Sequence, residues 1–377
     1  MTFLKVLAVL FGLAVVGSVL VSALETVVLP RQGFTRIARL VFGLVHRVIV
    51  VRHGPARRQD RRRSLFAPIA LVSLPLAWML IVTIGFAFIF WGFNIGTWSD
   101  ALDVSGSSLF TLGFSKPPHI GQIWLTFIEA TIGLGLVALL ISYLPTIYEA
   151  YNARERGISV LRPFAGTPPS SAQLLRQLVS AESVDSFEIW NRMANWLIDL
   201  EGSHSAFPAL CYYPVRGEGQ SWVATAGTIL DAAVGMLALG ADEDRSKMVG
   251  PLLVVTYGSP ALVRIGRSVG LPLDPPTLSA DLMALGAEPP PEVSVRREEF
   301  DAWVASIGPL GLVGHNEPER AWYRYSWLRS GYDQALRGLA GLTGATPAPL
   351  TTDRPAWVGR PPLFGHRPLH VDWTLVR

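Results

Sequence analysis

Cysteine is almost missing from this chain, since Cys211 is the only one in 377 residues. A single cysteine excludes an internal disulfide framework and any cysteine-rich metal site. Charge is scarce as well: 16% of the residues are charged, where about a quarter is usual in a soluble domain. No G-x-x-x-x-G-K-[ST] phosphate loop occurs, and no G-x-G-x-x-G follows a strand. Because no active-site constellation is visible, we expect neither an enzyme nor a cofactor.

Long apolar segments are abundant, and they predict a membrane protein. Three are long enough to cross a bilayer, which takes about 20 apolar residues: Phe3–Leu24, Leu65–Phe93 and Ile120–Tyr148. The first is longer than the h-region of a secretory signal, so we expect a retained anchor; a cleaved signal peptide is the alternative, because Val21-Ser22-Ala23 resembles a cleavage site. Helical spacing of apolar residues continues in the second half. The predicted fold is an all-α membrane protein with three transmembrane helices and an α-helical cytoplasmic domain.

Arginine is unevenly distributed, and this predicts the orientation of the spans. Ten arginines and a single acid, Asp60, lie between Arg31 and Arg63. Positive residues near the ends of spans stay on the cytoplasmic side, so this segment is predicted to be inside. Arg154 and Arg156 place the end of the third span inside too. The N-terminus is then outside, and everything after residue 150 is cytoplasmic.

The segment Phe34–Val51 has the pattern of an amphipathic helix. At about 100° per residue, its basic residues fall in one sector and most of its apolar residues cover the rest. Such a helix lies at the membrane surface with its arginines on anionic lipid head groups. The alternative is a cytoplasmic helix packed on the C-terminal domain. Because the arginines lie between two spans, membrane phosphate is favoured over nucleic acid as their partner.

A hydroxyl-rich segment, Ser107–Ser115, lies between the second and third spans. Non-helical backbone at membrane depth is tolerated only where it is buried in protein or lines a watery cavity. A potassium filter uses a T-V-G-Y-G strand whose carbonyl oxygens replace the water around the ion. Thr111, Leu112, Gly113 and Phe114 fall where T, V, G and Y would fall, and Ser115 stands where the second glycine should be. The predicted ion filter consists of Thr111, Leu112, Gly113, Phe114 and Ser115.

Elements on both sides of the loop complete the predicted pore. A short helix from Ala101 to Phe110, N-capped by Ser99, would point its negative C-terminal end at the cation cavity. Asp100 and Asp103 occupy its first turn, where acids suit the helix dipole. With Lys116 they form the predicted outer mouth. In a tetramer Lys116 would contribute four ammonium groups that oppose cation entry, and the two acids would partly offset them.

Four further residues are predicted to act in the pore or its gating: Ser108, Glu129, Gly133 and Gly135. An intramembrane carboxylate is a functional-site candidate by default. We expect Glu129 to support the filter from behind, with a cavity-facing position or protonated packing on the pore helix as alternatives. Glycine inside a helix costs about 1 kcal/mol relative to alanine. Gly133 and Gly135 therefore indicate either a gating hinge or close helix packing.

The stretch from Ala101 to Arg156 resembles the pore module of the potassium channel superfamily. Four segments resemble a bacterial group of these channels with an extra N-terminal span: Glu25–Arg31, Ser105–Gly113, Glu129–Gly135 and Ile141–Tyr148. The resemblance implies a re-entrant pore helix and filter loop, a homotetramer around one central pore, and a bacterial inner membrane. Where the family has G-D after the aromatic residue, this chain has Ser115 and Lys116.

The predicted function is a pore-loop cation channel with a non-standard T-L-G-F-S filter, passing K⁺ or Na⁺ passively. The alternative is a non-conducting scaffold or sensor that has the channel fold. Ser115 and Lys116 favour that alternative, because serine in place of the filter glycine would strain the loop or force another shape. The cytoplasmic domain is expected to gate the pore, assemble the tetramer or bind an unknown protein partner.

The chain is predicted to have five parts. They are a transmembrane anchor (1–30), a basic interfacial segment (31–64), the pore module (65–157), a helical cytoplasmic domain (158–343) and a Pro/Trp-rich tail (344–377). After a linker at 161–171, helices are predicted at 171–182, 185–201, 220–240, 243–267, 294–307 and 317–342. The apolar segment Ala226–Ala241 is expected to be a buried core helix because it is short for a span.

Overall fold

The computed structural model describes residues 3–27, 36–49, 56–180, 186–213, 215, 219–240, 245–274, 291–308, 317–358 and 369–374. Within these ranges the helices are α1 Phe3–Val27, α2 Arg36–Ile49, α3 Ala56–Gly92, α4 Trp98–Leu109, α5 Ile120–Ala165, α6 Ser171–Ser180, α7 Ser186–Ala206, α8 Trp222–Leu239, α9 Arg245–Ser268, α10 Arg297–Ile307, α11 Pro318–Ser330 and α12 Asp333–Thr343. A 3₁₀ helix covers Pro208–Tyr212, and β1 Trp357–Val358 pairs antiparallel with β2 Val371–Asp372.

Five of the described helices are long and apolar enough to cross a membrane, namely α1, α3, α5, α8 and α9. Strands are confined to the one two-residue pair in the described ranges. The prediction of an all-α membrane protein is therefore confirmed. The chain forms two compact units, Met1–Glu149 and Ala150–Arg377.

In the first unit, α1 and α3 pack against each other in antiparallel directions. A Cβ on Gly12 would collide with the Gly85 carbonyl oxygen, so only glycine allows the two backbones to come this close. Near the start of α1, Lys5 contacts the side chain of Asn94, just beyond the end of α3. Phe11 and Phe88 meet edge to face with centroids 5.0 Å apart. Small residues and one aromatic pair thus define this helix contact.

Helix α5 is longer than the third predicted span. Its 46 residues continue to Ala165, so the predicted linker at 161–171 is wrong in its first half. Ile158, Leu161 and Ala165 are buried in the hydrophobic core of the second unit. Burial of one face therefore outweighs the helix-breaking effect of Pro163, which led to the linker prediction.

Helix α8 forms the centre of the second unit, where 94% of its residues are buried. Its N-cap is Ser221, whose hydroxyl accepts a hydrogen bond from the Ala224 amide at 3.4 Å. A helix that is apolar on all sides suits a position surrounded by protein. Gly235 leaves room for the ring of Trp303, which a Cβ at that position would strike. The expected buried helix is thus present, beginning at Trp222.

The prediction of one continuous helix over 317–342 is wrong. The structure has two helices there, α11 and α12, separated by Gly331 and Tyr332. Tyr332 is 1% exposed, and its hydroxyl donates to Asp231 Oδ1 of α8 at 2.6 Å. The chain turns at this point because doing so buries the Tyr332 ring and satisfies its hydroxyl, a long-range pairing that local spacing does not reveal.

Candidate pore-loop site

The short helix α4 between α3 and α5 begins after Thr97, its N-cap. The Thr97 hydroxyl accepts from the Asp100 amide at 3.3 Å, and Asp100 accepts from the Thr97 amide at 2.6 Å. This reciprocal pair is a capping box. The prediction that Ser99 caps the helix is wrong, because Thr97 already has the extended backbone and the hydroxyl that a cap requires.

The three predicted mouth residues, Asp100, Asp103 and Lys116, are all exposed. Hydrogen bonds from the Thr97 amide and hydroxyl lower the pKa of Asp100, so its carboxylate is charged. Asp100 alone is the acid of the first turn of α4, and Asp103 lies beyond it, contrary to the prediction. The reason is that α4 starts three residues earlier than expected.

At its other end, α4 runs into a loop that folds back on the helix. The Thr111 amide donates to the Ser108 carbonyl at 3.0 Å, and the Leu112 amide donates to the Ser107 carbonyl at 2.9 Å. The Gly113 amide also points to the Ser107 carbonyl, at 3.4 Å. The last carbonyls of a helix normally have no partner within the helix. Here amides of the loop pair with carbonyl oxygens at the end of α4, whose negative partial charge was expected to face a cation.

The backbone conformation of the predicted filter differs from residue to residue. Thr111 and Gly113 are left-handed, with φ of 54° and 72°. A Cβ on Gly113 would meet no atom within 4 Å, so glycine is needed there for its conformation alone. Ser115 is not among the described residues with positive φ. Serine is therefore accommodated without left-handed strain, in a loop shape that does not require glycine at this position.

Ser107 is the serine whose side chain reaches the loop. Its Oγ accepts a hydrogen bond from the Ser115 amide at 3.0 Å, and the residue is 1% exposed. The hydroxyl of Ser108, the residue predicted to act in the pore, donates instead to the Val104 carbonyl inside α4 at 2.8 Å. Two adjacent serines gave no local signal for choosing between them. The helix register decides which hydroxyl faces the loop.

Two large apolar side chains of the filter segment are uncovered in the single chain. Leu112 is 65% exposed and Phe114 is 68% exposed. Thr111 and Gly113 are exposed as well. At membrane depth, such a loop needs cover from protein or a water-filled cavity.

Glu129 lies against the side of α4. The residue is fully buried, and its Oε1 is 2.5 Å from the hydroxyl of Ser105. That hydroxyl is also 2.8 Å from the Thr83 carbonyl oxygen of α3. One hydroxyl proton cannot serve two acceptors. Both contacts are hydrogen bonds when Ser105 donates to Thr83 and a protonated Glu129 donates to Ser105.

The second carboxyl oxygen of Glu129, Oε2, is buried and has no hydrogen-bond partner among the described residues. An ionised carboxylate in such a place would be very unfavourable, so this observation also favours the neutral acid. Of the three positions considered from the sequence, packing against the pore helix fits the contacts. Local sequence does not mark Ser105 or Thr83, because the contacts of Ser105 with Thr83 and Glu129 join three different helices.

The two glycines of α5 differ in their surroundings. A Cβ on Gly133 would lie 3.1 Å from the Leu109 side chain and closer still to the Leu109 carbonyl oxygen. A Cβ on Gly135 would meet no atom within 4 Å. Gly133 therefore permits the close approach of α5 to the end of α4. In the single chain, no neighbouring atom requires glycine at position 135. The hinge role stays a prediction for both.

Gln122, at the start of α5, fixes the other end of the loop. Its side-chain amide donates to the Phe93 carbonyl at 2.9 Å, and its Oε1 accepts from the His119 amide at 3.4 Å. The segment between α4 and α5 is thus tied at Ser107 and again at Gln122.

In the second unit, the main buried polar cluster surrounds Arg329. Its guanidinium is fully buried, pairs with Asp231, and donates to Asp333 at 2.9 Å and to the Leu350 carbonyl at 3.1 Å. Thr351 donates to Asp231 Oδ2 at 2.7 Å. These contacts join α8, α11 and α12 to the start of the tail. Among the described residues, no group of three or more His, Cys, Asp or Glu side chains could hold a metal ion.

No protein-family model, curated protein or solved structure matches the chain. The resemblance to potassium channels therefore stays a prediction from the sequence. What the structure defines is the class: an all-α membrane protein in which a capped short helix and a loop lie between two helices of membrane length.

Proposed function

We propose that the protein is a pore-loop cation channel in which four copies surround one pore and pass K⁺ or Na⁺. The observation that carries this proposal is the position of α4 and its loop. Between α3 and α5, both of which are long and apolar enough to span a membrane, lie a short capped helix and, after it, ten non-helical residues, 110–119. If this segment lies at membrane depth, as in a pore loop, its irregular backbone must be buried in protein or line a water-filled cavity.

The exposed loop supports assembly around an axis. Leu112 and Phe114 have no cover in the single chain, and lipid would leave the polar backbone next to them without partners. Four loops around one axis would cover these side chains. They would also bring the carbonyl oxygens of residues 111–115 and the Thr111 hydroxyl together, which is how a filter replaces the hydration shell of a cation.

The contacts of Glu129, Ser105 and Thr83 behind the loop also support the channel proposal. A neutral acid bonded to Ser105 holds α4 between α3 and α5 without placing a fixed charge beside the pore. Glu129 acts here as a positioning residue for α4. We place the channel in a bacterial inner membrane, with the N-terminus outside and the second unit in the cytoplasm.

A non-conducting scaffold or sensor is the second candidate. Two observations favour it: Lys116 is exposed beside the filter segment, and loop amides occupy the carbonyls at the end of α4. Both weaken the attraction for a cation. For the channel, these same features predict weak discrimination between K⁺ and Na⁺.

Ion flux in liposomes tests the proposal. The purified full-length protein is reconstituted, and K⁺ and Na⁺ flux is measured for the wild type and for Ser115→Gly with Lys116→Asp. We expect both proteins to conduct, with faster K⁺ flux in the double variant. If only the double variant conducts, the protein has a channel fold with a disabled filter, and the scaffold reading is correct. If neither conducts, the channel proposal fails.

Two glycine variants provide a matched control for the flux measurement. Gly113→Ala should lower flux, because φ of 72° costs a residue with a Cβ about 1–2 kcal/mol although space is free. Gly135→Ala adds the same methyl group to an open helical position and should leave flux intact if that glycine is not a hinge. The mass of the protein in detergent must also correspond to a multiple of four chains.

A further inference from the structure

Helix α2 presents an exposed apolar stripe. Leu40, Leu44 and Val48 are 75%, 66% and 62% exposed. They are spaced four residues apart, so they lie one above the other on a single face of the helix. Three large exposed aliphatic side chains in a row need an apolar partner, and the described structure supplies none for this face.

The neighbouring face of α2 is already occupied. Ala38 is fully buried, and Val41 and Val45 are half-buried. In the first unit, α2 packs against α3 and also touches α1, the two helices of membrane length that precede the pore loop. Helix α2 is therefore held next to membrane-spanning helices, with its exposed stripe on a different side from that contact.

Basic positions adjoin the stripe on its other edge. At 100° per residue, positions 36 and 47 lie within about 40° of Leu40, and position 39 lies about 100° away. All three positions are arginine, and α2 contains no acidic residue. Going around the helix, the order is a face packed on α3, an exposed apolar stripe, and a basic edge.

We propose that this stripe and its basic edge bind anionic phospholipid at the membrane surface. The stripe would enter the boundary between head groups and acyl chains, and the arginines would bind lipid phosphates. The ten arginines between Arg31 and Arg63, with Asp60 as the single acid, supply the matching charge. The proposal does not depend on ion conduction.

A second copy of the chain suits this face poorly. A stable protein interface takes about 20–30 residues on each side, and the stripe has three. In a two-fold contact the same patch meets itself, so the basic edges would also face each other. An anionic lipid surface satisfies the apolar and the basic parts together.

A fluorescent label on the stripe tests the proposal. Leu44→Cys is labelled with an environment-sensitive dye in the full-length protein, and Ala302→Cys, exposed on α10, serves as the reference. Cys211 is buried, and burial raises the pKa of its thiol to about 12, so it stays unlabelled. The protein is placed in nanodiscs of phosphatidylcholine, with or without phosphatidylglycerol. Quenching by lipids brominated on the acyl chain reports insertion of the label.

We expect the Leu44 label to shift to shorter wavelength and to be quenched, more strongly with phosphatidylglycerol, while the Ala302 label is unaffected. Replacing Arg36, Arg39 and Arg47 with glutamine should weaken the preference for anionic lipid by on the order of a hundredfold, since each surface arginine contributes about fivefold.

A second triple variant controls for net charge. Glutamine at positions 176, 192 and 267, which are exposed arginines of the second unit, removes the same charge and should leave the Leu44 response in place. The proposal is wrong if the Leu44 label stays in water, if both triple variants lose the response equally, or if oxidation of Leu44→Cys links two copies efficiently.

Discussion

Replacing Gly133 with alanine tests whether α5 packs closely on the end of α4. The added Cβ would overlap the Leu109 carbonyl oxygen, since ordinary contact begins near 3.4 Å. The two backbones must therefore move apart, or α5 must bend. Overpacking of this kind costs about 1–3 kcal/mol. The affected carbonyl belongs to Leu109, the last residue of α4, two residues before the predicted filter begins at Thr111.

Gly135→Ala is the matched control, because its Cβ would meet nothing within 4 Å. Both substitutions gain about the same 1 kcal/mol of helix propensity, so the difference between the variants isolates the clash at Leu109. We expect Gly133→Ala to be less stable than Gly135→Ala by about 1–3 kcal/mol.

Unfolding of the purified protein in detergent, followed by circular dichroism, measures this difference, and liposome flux is measured alongside. Equal stability of the two variants would refute the packing argument. A hinge without close packing would instead change flux in one or both variants while leaving their stabilities equal. Loss of both stability and flux in Gly133→Ala alone is the expected result.

Three further predictions concern buried polar groups. Glu129→Gln should leave the free energy of unfolding nearly unchanged, because the amide can donate to Ser105 as the protonated acid does. Glu129→Ala should lower that free energy by roughly 1–3 kcal/mol. Equal losses of stability in chemical unfolding would contradict a neutral Glu129. Burial, and then the charge of Arg154, lowers the pKa of His204 well below its ordinary 6.5. The neutral, buried His204 should therefore not reduce the free energy of unfolding above pH 6.5, and that free energy should fall as the pH drops below 6.5. In His204→Leu this pH dependence should disappear. Arg329→Met should cost about 3–5 kcal/mol because it leaves buried carboxylates unpaired, while Arg192→Met on the exposed pair with Glu188 should cost less than about 1 kcal/mol; similar unfolding midpoints would count against the buried network.

Within the pore-loop segment, the sequence was sufficient to locate the helix but not its contacts. The short helix before the loop was expected within three residues of where α4 begins, since turn residues and acids mark helix starts locally. Thr97 and Ser99 both carry the hydroxyl that an N-cap needs. Thr97 caps the helix because its backbone is extended and α4 begins at the next residue. In the same way, Ser107 and Ser108 are equivalent in the sequence, and the helix register directs Ser107 to the Ser115 amide.

Long-range pairings set the limits of the sequence-based prediction in the second unit. The periodicity of 317–342 predicts one helix, but Tyr332 turns the chain to bond with Asp231, 101 residues away. Pro163 predicts a linker, but the burial of Leu161 and Ala165 keeps α5 helical through it.

By itself, the sequence determined that this is a helical membrane protein with an irregular, hydroxyl-rich segment between two apolar helices. Span length and helical spacing are properties of a continuous stretch of chain, so they are visible without a structure. Only the tertiary structure decided that Glu129 bonds to Ser105, that Gly133 but not Gly135 meets α4, and that Ser115 escapes left-handed strain. Each of these depends on which atoms of distant residues come within about 3 Å of one another, and hydrogen bonds and packing are specific at that distance.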